Sequence, residues 1–280
     1  MVRIITDSAA DFSPRELEQL NVVCIPLRVI FGEREYEENI DLNKDEFYAL
    51  LRQNSMPKTS QASPQALTDL LESAQEAGDE AIYISLSSAL SGTYQSAVMT
   101  ARMVGYKGAY VVDSRNATGG QRLLVEYAAR LRDEGHSAAY IAAALERLRD
   151  RIVLYACIDT LEYLYLGGRI SHTAYQLGSL AQIKPIISVD TEGRVTVPAK
   201  AVGMRRGMDT LCKRAAAHPA DPNFPFYVMY TDDISVAQTL AKRLESITGP
   251  IDDDRIIQVG AAIGSHIGPA ACGLVYVGAE

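Results

Sequence analysis

The chain has 280 residues, 48% of them apolar and 22% charged, with 27 basic and 35 acidic side chains for a formal net charge of −8. That length exceeds one ordinary core and predicts two domains, with enough apolar residues to fill both and too many for a disordered chain. The acidic balance, the lack of Trp and an aromatic content of only 7% argue against a nucleic-acid groove, which needs clustered Lys and Arg.

The first half alternates strand-like and helix-like segments. Val2 to Thr6 reads as a strand, and Ser13-Pro14-Arg15-Glu16 opens a helix with Ser13 as N-cap, Pro14 at the first position and Glu16 completing a capping box. Val22 to Phe31 is a second apolar run. Asn43 caps a short amphipathic helix to Gln53, and Ser63-Pro64 opens another that runs through Ala77 and closes at Gly78. Ile82-Tyr83-Ile84 reads as a buried strand, Gly92 to about Val104 as a helix, Ala109 to Val112 as a strand, and 118–134 and 138–150 as helices. Such alternation predicts a largely parallel sheet sandwiched by helices.

The second half has another rhythm. Val153 to Ile158 is strand-like, with helical segments near Thr160–Leu166 and Ser171–Ala181. Lys184 to Asp190, a Glu192-Gly193 turn and Arg194 to Val197 read as a β-hairpin. A helix over about Arg205 to His218 leads to a connector with Pro219, Pro222 and Pro225. Strand Phe226–Tyr230, helix Ile234–Ile247 and strands Ile256–Val259 and Leu274–Val277 complete a mixed sheet with helices. The expected boundary gives α/β domains at 1–152 and 153–280.

The four cysteines, Cys24, Cys157, Cys212 and Cys272, are widely spaced and form no C-x-x-C pair, so neither a zinc nor a redox motif is indicated. Free buried thiols in a reducing compartment are expected. Met1 to Asp7 lacks the apolar core of about 7–15 residues that marks a signal peptide. No apolar run approaches the roughly 20 residues of a membrane span. A cytoplasmic location follows as the expectation.

The most informative stretch is Ile82 to Tyr94, where a strand runs into Ser85, Ser87, Ser88 and Ser91 and then into Gly92-Thr93 at a helix start. Ser91 can cap that helix. Hydroxyls and unpaired N–H groups converging at a helix N-terminus suit a phosphate or a carboxylate. Other polar loops fall where open α/β sheets bind ligands. They are Thr6-Asp7-Ser8, Pro57-Lys58-Thr59-Ser60-Gln61, and Asp113-Ser114 with Gly119-Gly120. Gly167-Gly168-Arg169-Ile170-Ser171 and Gly264-Ser265-His266-Ile267-Gly268-Pro269 add one arginine and one histidine. No metal-ligand cluster stands out. Asp7 and Ser8 read as organisers of the first loop, and His136 and His218 as partners of helix C-termini. Arg205-Arg206 with Lys213-Arg214 form a basic stripe on an acidic chain, either a solvated helix face or a docking surface.

These motifs, T-D-S, K-T-S-Q-A-S, S-L-S-S-A-L-S-G-T-Y, L-E-Y-L-Y-L-G-G-R-I-S, I-K-P-I-I-S-V and H-I-G-P-A, resemble those of the DegV family, in the family's order and from Thr6 to Ala270. One departure is Ala270, where the family usually has glycine. The resemblance implies a fatty-acid-binding protein of two α/β domains, with the ligand in an apolar tunnel at the domain junction, that serves as the lipid-carrying subunit of bacterial fatty acid kinase. The bound acid is then phosphorylated by a separate ATP-dependent kinase subunit. It further implies that Thr59, Ser91 with the Gly92 N–H, and His266 contact the carboxylate, with Arg169 close by and no cofactor or catalytic residue of its own. If the basic stripe is a docking surface rather than a solvated face, Arg205 is its expected contact to the partner or the transferred phosphate.

Those residue types suit that chemistry. A carboxylate has about four lone-pair sites, which two hydroxyls, one N–H and one imidazole can fill. About 14 buried methylenes at roughly 0.8 kcal/mol each give about 11 kcal/mol before ordering costs, so the tail supplies affinity and the head group supplies orientation. A different reading, a serine-type lipid ester hydrolase with Ser91 as nucleophile and His266 as base, is open on residue types alone. It lacks a G-x-S-x-G elbow and an acid to orient the histidine. A self-sufficient kinase lacks both G-x-x-x-x-G-K-[ST] and G-x-G-x-x-G.

Overall fold

The structure, a computed structural model, describes residues 1–53, 56–176 and 182–280. Strand β1 (Val2–Asp7) ends in a single 3-10 turn, Ser8–Ala10, and is followed by helix α1 (Pro14–Leu20). The capping box at its start forms as the sequence predicts: Ser13 Oγ accepts from Glu16 N–H, and the Glu16 carboxylate accepts from Ser13 N–H at 2.7 Å. The apolar run from Val22 divides into β2 (Val22–Ile25) and β3 (Arg28–Phe31), which join different sheets. Pro26 has no N–H for a ladder, and the next residue, Leu27, donates its N–H to Ser8 Oγ instead.

Strand β4 (Arg34–Glu37), helix α2 (Lys44–Gln53) and β5 (Lys58–Ser60) follow, and β4-β3-β5 form a small antiparallel sheet. The sequence reading placed no strand at β4 or β5. Both are short, β4 is charge-rich and β5 is only Lys-Thr-Ser, and their pairing to β3 rather than their own periodicity makes them strands. Helix α3 (Pro64–Ala77) leads to β6 (Glu80–Ser85), α4 (Thr93–Val104), β7 (Ala109–Asp113), α5 (Gly119–Asp133) and α6 (Ala138–Leu148). The order β2-β1-β6-β7 is parallel throughout.

Strand β8 (Ile152–Ile158) begins the second sheet. Two short helices, α7 (Glu162–Leu166) and α8 (His172–Gln176), precede the hairpin of β9 (Ile183–Val189) and β10 (Val195–Val202). The rest of the helix expected to reach Ala181 lies outside the described residues. Helix α9 (Gly203–Ala217), β11 (Tyr227–Tyr230), α10 (Ile234–Thr248), β12 (Ile256–Gln258), α11 (Ala261–Ile267) and β13 (Ala271–Val277) complete the chain. The sheet order β10-β9-β8-β13-β11-β12 is antiparallel except for the β11–β12 pair.

Two segments differ from what the sequence predicts. The Gly264–Pro269 segment was expected to be a loop, but its first four residues belong to α11. Gly264 packs within the helix against Tyr48, where a Cβ would lie 2.6 Å from the phenol oxygen. Strand β13 also starts three residues before the expected Leu274, because Cys272 and Gly273 pair with Cys157 and Ala156 of β8. Cys157 and Cys272 are nevertheless free thiols, as are Cys24 and Cys212, and burial pushes Cys157 up to about 12.

Helix α5 joins the two sheets into one packed body. Leu123, Leu124 and Val125 share a core with Ile82 and Val112 of the parallel sheet and with Leu154, Met229 and Val275 of the mixed one. Gly119 starts α5 because a Cβ there would lie 2.4 Å from Val275 Cγ1. Arg122 is almost fully buried beside it, pairs with Glu16 and Glu126, and lies 4.3 Å over the Phe12 ring and 5.1 Å over that of Tyr227. Among the described residues no helix is long and apolar enough to cross a membrane.

Candidate functional site

The T-D-S motif fixes the strand ends that carry the serine-rich loop. Thr6 Oγ donates to Ile84 O at 2.9 Å, and buried Asp7 accepts from Leu86 N–H at 2.9 Å, from Tyr83 Oη and from the Gln121 amide. Asp7 therefore holds the serine-rich loop, Ser8 organises the first loop through Glu38 and the Leu27 N–H, and neither lines the cavity. Burial pushes the Asp7 carboxyl up from its ordinary range, with Leu86, Gln121 and Tyr83 opposing.

From this frame the chain turns through Ser87 to Ser91. Leu90 and Ser91 both donate their N–H to Ser87 O, and Ser87 Oγ donates across to Gly193 O of the β9–β10 turn at 2.8 Å. The N-cap of α4 is Gly92, which has no side chain to offer. Ser91, the expected cap, lies one residue before it, accepts from Thr93 N–H at 3.2 Å and shares a 2.8 Å hydrogen bond with Thr93 Oγ1.

A cavity of about 370 Å³ opens beside this loop, within the usual range of small-molecule sites (~300–1,000 Å³). Four of the sequence-predicted residues line it together with Gly92: Thr59, Ser91, Arg169 and His266. Thr59 Oγ1 and His266 Nε2 share a hydrogen bond of 2.8 Å. Arg169 Nε donates to Leu90 O at 3.0 Å, and its Nη1 to Gly167 O at 2.5 Å, which ties the G-G-R segment to the residue next to Ser91. Gly167 is glycine because a Cβ there would lie 2.2 Å from His266 Nδ1, and Gly168 takes a left-handed φ of 73°. Gln61, not singled out in the sequence, reaches the Gly92 Cα, where a Cβ would stand 3.1 Å from its Oε1. The polar groups thus come from β5, the start of α4, the turn after α7, and α11.

The rest of the wall is mostly apolar, with Thr118, Tyr230 and Thr231 among its polar members. Leu154, Ala156, Ile187, Val189 and Val195 come from the mixed sheet and its hairpin, and Leu27, Leu86 and Leu90 from the other half. Helix α11 adds Ala262, Ile263 and Ile267. Among the described lining residues Arg169 is the one permanent cation. Burial and the Arg169 charge lower His266 to about 4, so its ring is neutral near pH 7, and its Nδ1 is buried without a hydrogen-bond partner.

The structure leaves other candidates elsewhere. Arg205 and Arg206 are exposed on α9 and do not line the cavity. His172 lies 3.1 Å from Tyr165 Oη, His136 stacks on Tyr140, and His218 caps α9 with its carbonyl accepting from Tyr276. Asp113 accepts from Ser88 and Arg115 N–H groups, and Gly119 and Gly120 are packing glycines of α5. The geometry lends the hydrolase reading no support. His266 Nε2 is engaged by Thr59 and Ser91 Oγ by Thr93, and Nδ1 has no carboxylate to orient it.

An apolar chamber with a polar end of hydroxyls, a neutral imidazole and one guanidinium is the architecture of a binder of amphiphilic anions. The chain belongs to the DegV family, whose model, described as an uncharacterised protein family, matches residues 1–279. A DegV domain-containing protein of Clostridium perfringens is 34% identical over 98% of this chain and 97% of its own. Among solved structures, a fatty-acid-binding DegV family protein from Thermus thermophilus superposes with a TM-score of 0.88 at 29% identity, covering 99% of both chains. A stearic acid-binding protein from Eubacterium ventriosum does so with a TM-score of 0.86 at 26% identity, covering 99% of this chain and 98% of its own.

Proposed function

We propose that this protein binds one long-chain fatty acid, tail against the apolar wall and carboxylate at Thr59, Ser91, the Gly92 N–H and His266, and presents it to a separate ATP-dependent kinase that forms the acyl phosphate. The observation that carries the reading is the gathering of Thr59, Ser91, Arg169 and His266 around one otherwise apolar cavity. The relatives that bind fatty acids support it. A neutral imidazole and two hydroxyls hold an anion by donation without neutralising it, so one carboxylate oxygen keeps its nucleophilicity toward a γ-phosphate. Arg169, half-buried and held by two carbonyls, adds the charge that favours the ionised head group and its phosphorylated product.

The protein acts as carrier rather than catalyst in this reading. Phosphoryl transfer needs the triphosphate cradled, Mg²⁺ held and the acceptor aligned, and these residues serve the third task. Exposed Arg205 on α9 is assigned to contact with the kinase. The test is acyl-phosphate formation trapped with hydroxylamine: product requires a kinase polypeptide as well as this chain, and Arg205→Glu lowers that rate more than it lowers lipid affinity. Product from the pure chain with Mg-ATP and fatty acid would overturn the carrier role.

A further inference from the structure

Helix α11 brings Ile263, His266 and Ile267 to the cavity, yet its first turn is gripped by two buried carboxylates from the other end of the sequence. Asp11 Oδ1 accepts from Gly260 N–H at 2.8 Å, and Glu38 Oε1 accepts from Ala262 N–H at 3.1 Å. Both acids converge on one point, since a Cβ on Gly260 would lie 2.2 Å from Glu38 Oε1 and 2.9 Å from Asp11 Oδ1. Glu38 Oε2 also accepts from Ser8 Oγ at 2.5 Å, while Asp11 Oδ2 is buried with no hydrogen-bond partner. Lys44, the nearby cation, donates to the carbonyls of Asp11 and Gln258 rather than to either carboxylate.

We propose that Asp11 and Glu38 share a single proton and act through α11 as positioning residues for His266, so that the charge on this pair sets where the imidazole stands at the head of the cavity. One anion suits the first turn of a helix, whose free N–H groups carry partial positive charge, but a second anion in the same buried spot repels it. Burial and the Asp11 charge push Glu38 up to about 7, and burial raises Asp11 as well. The groups facing the pair are Ser8, Cys24 on β2, Lys44 and Tyr48 on α2, Thr118 just before α5, whose hydroxyl opposes the rise of Asp11, and Arg122 on α5 toward Asp11. Burial pushes Cys24 and Tyr48 well above their ordinary values, so neither gains charge near pH 7.

The sign follows from the raised value. The stability that protonated Glu38 contributes is complete below the ordinary carboxylate range and is lost as pH rises to about 7. Above that, two charges strain the Gly260–Ala262 turn, and the shift passes along one short helix to His266, which stays uncharged over this range.

The consequence for ligand presentation rests on the fatty-acid reading, but the coupling does not, so it is measured on delipidated full-length protein. The chain has only four histidines, and His266→Gln assigns the relevant imidazole signals by NMR. The His266 ring resonances are expected to inflect near pH 7 in the wild type, and to lose that inflection in Glu38→Gln and in Asp11→Asn, while those of His136, His172 and His218 are unchanged by either substitution. Two variants keep the test valid if one fails to fold. A flat His266 profile in the wild type, or an inflection that persists in both variants, overturns the proposal. Stearate exchange followed by fluorescence displacement then separates the two claims. An NMR inflection in a protein that binds no fatty acid contradicts the lipid reading alone.

Discussion

The two ends of the cavity are built on opposite plans. The polar end is assembled from short pieces: a three-residue strand, a helix start, a glycine turn and a seven-residue helix, tied by side chains to backbone or to one another. The wall is assembled mainly from long strands of the mixed sheet and gives almost no directional contacts. Under the proposed fatty-acid reading, the two ends have two jobs. A wall that buries methylenes supplies free energy in proportion to area, and a head site with a few hydrogen bonds fixes orientation at about 1 kcal/mol net for each. Changes to the wall should therefore remove binding, whereas changes to the head should misplace a ligand that still binds.

The largest effect is expected at the wall. Ile187→Asp places a carboxylate where no partner awaits it, and fatty-acid affinity should fall by at least about a hundredfold, roughly 3 kcal/mol or more. Ile187→Ala should lose far less, and a fluorescent fatty-acid titration with a circular-dichroism control on each variant separates loss of binding from loss of fold. Next comes Arg169→Leu, which removes the one permanent cation of the lining and should weaken binding of the ionised acid by about 1.5–3 kcal/mol. The same change should raise the His266 value above about 4, because the Arg169 charge contributes to holding it down. Histidine NMR titration reads that directly, and an unmoved value would remove Arg169 from the electrostatics of the site.

Smaller effects sharpen the contrast. Thr59→Ala and Ser91→Ala should each cost about 1–2 kcal/mol in affinity with the fold intact. The pH profile of stability should carry a His266 component. Its lowered value means the contribution is complete above the ordinary histidine range, near pH 6.5, and is lost as pH falls toward about 4. Thermal melts of wild type and His266→Gln should diverge in slope over that window and run parallel above it. The smallest change in affinity is expected for His266→Ala, with the defect falling on phosphorylation in a reconstituted kinase assay. Wild-type rates there would deny the imidazole its part in presentation.

The polar residues that line the cavity could be named from the sequence because their motifs are local and the family resemblance picked Thr59, Ser91, Arg169 and His266 out of them. Ser91-Gly92, Thr59 and Gly167-Gly168-Arg169 each sit in a run of hydroxyls or glycines that a buried strand or helix would not carry. The wall was not legible, because Leu154, Ile187 and Val195 look like any core residue, and only sheet pairing turns their faces to a common space. The same reason hid β4 and β5, which owe their conformation to β3 across the sheet. Helix α11 was missed because Gly260, Gly264 and Gly268 read as turn formers, although Gly260 and Gly264 are there for close approach to Glu38 and Tyr48. Asp11 and Glu38 gave no signal at all. They lie 27 positions apart and more than 220 from the helix they hold, and only long-range topology joins them.

The most direct test of the cavity assignment is to ask whether the protein carries and responds to its ligand. Native mass spectrometry of protein purified from cells, followed by lipid extraction, should find one long-chain fatty acid per chain. Delipidation should then lower the melting temperature, and stearate at a hundredfold excess over Kd should restore about 2.7 kcal/mol of stability by linkage. A protein that releases no lipid, and whose melting temperature ignores added fatty acids of every length, would contradict the assignment.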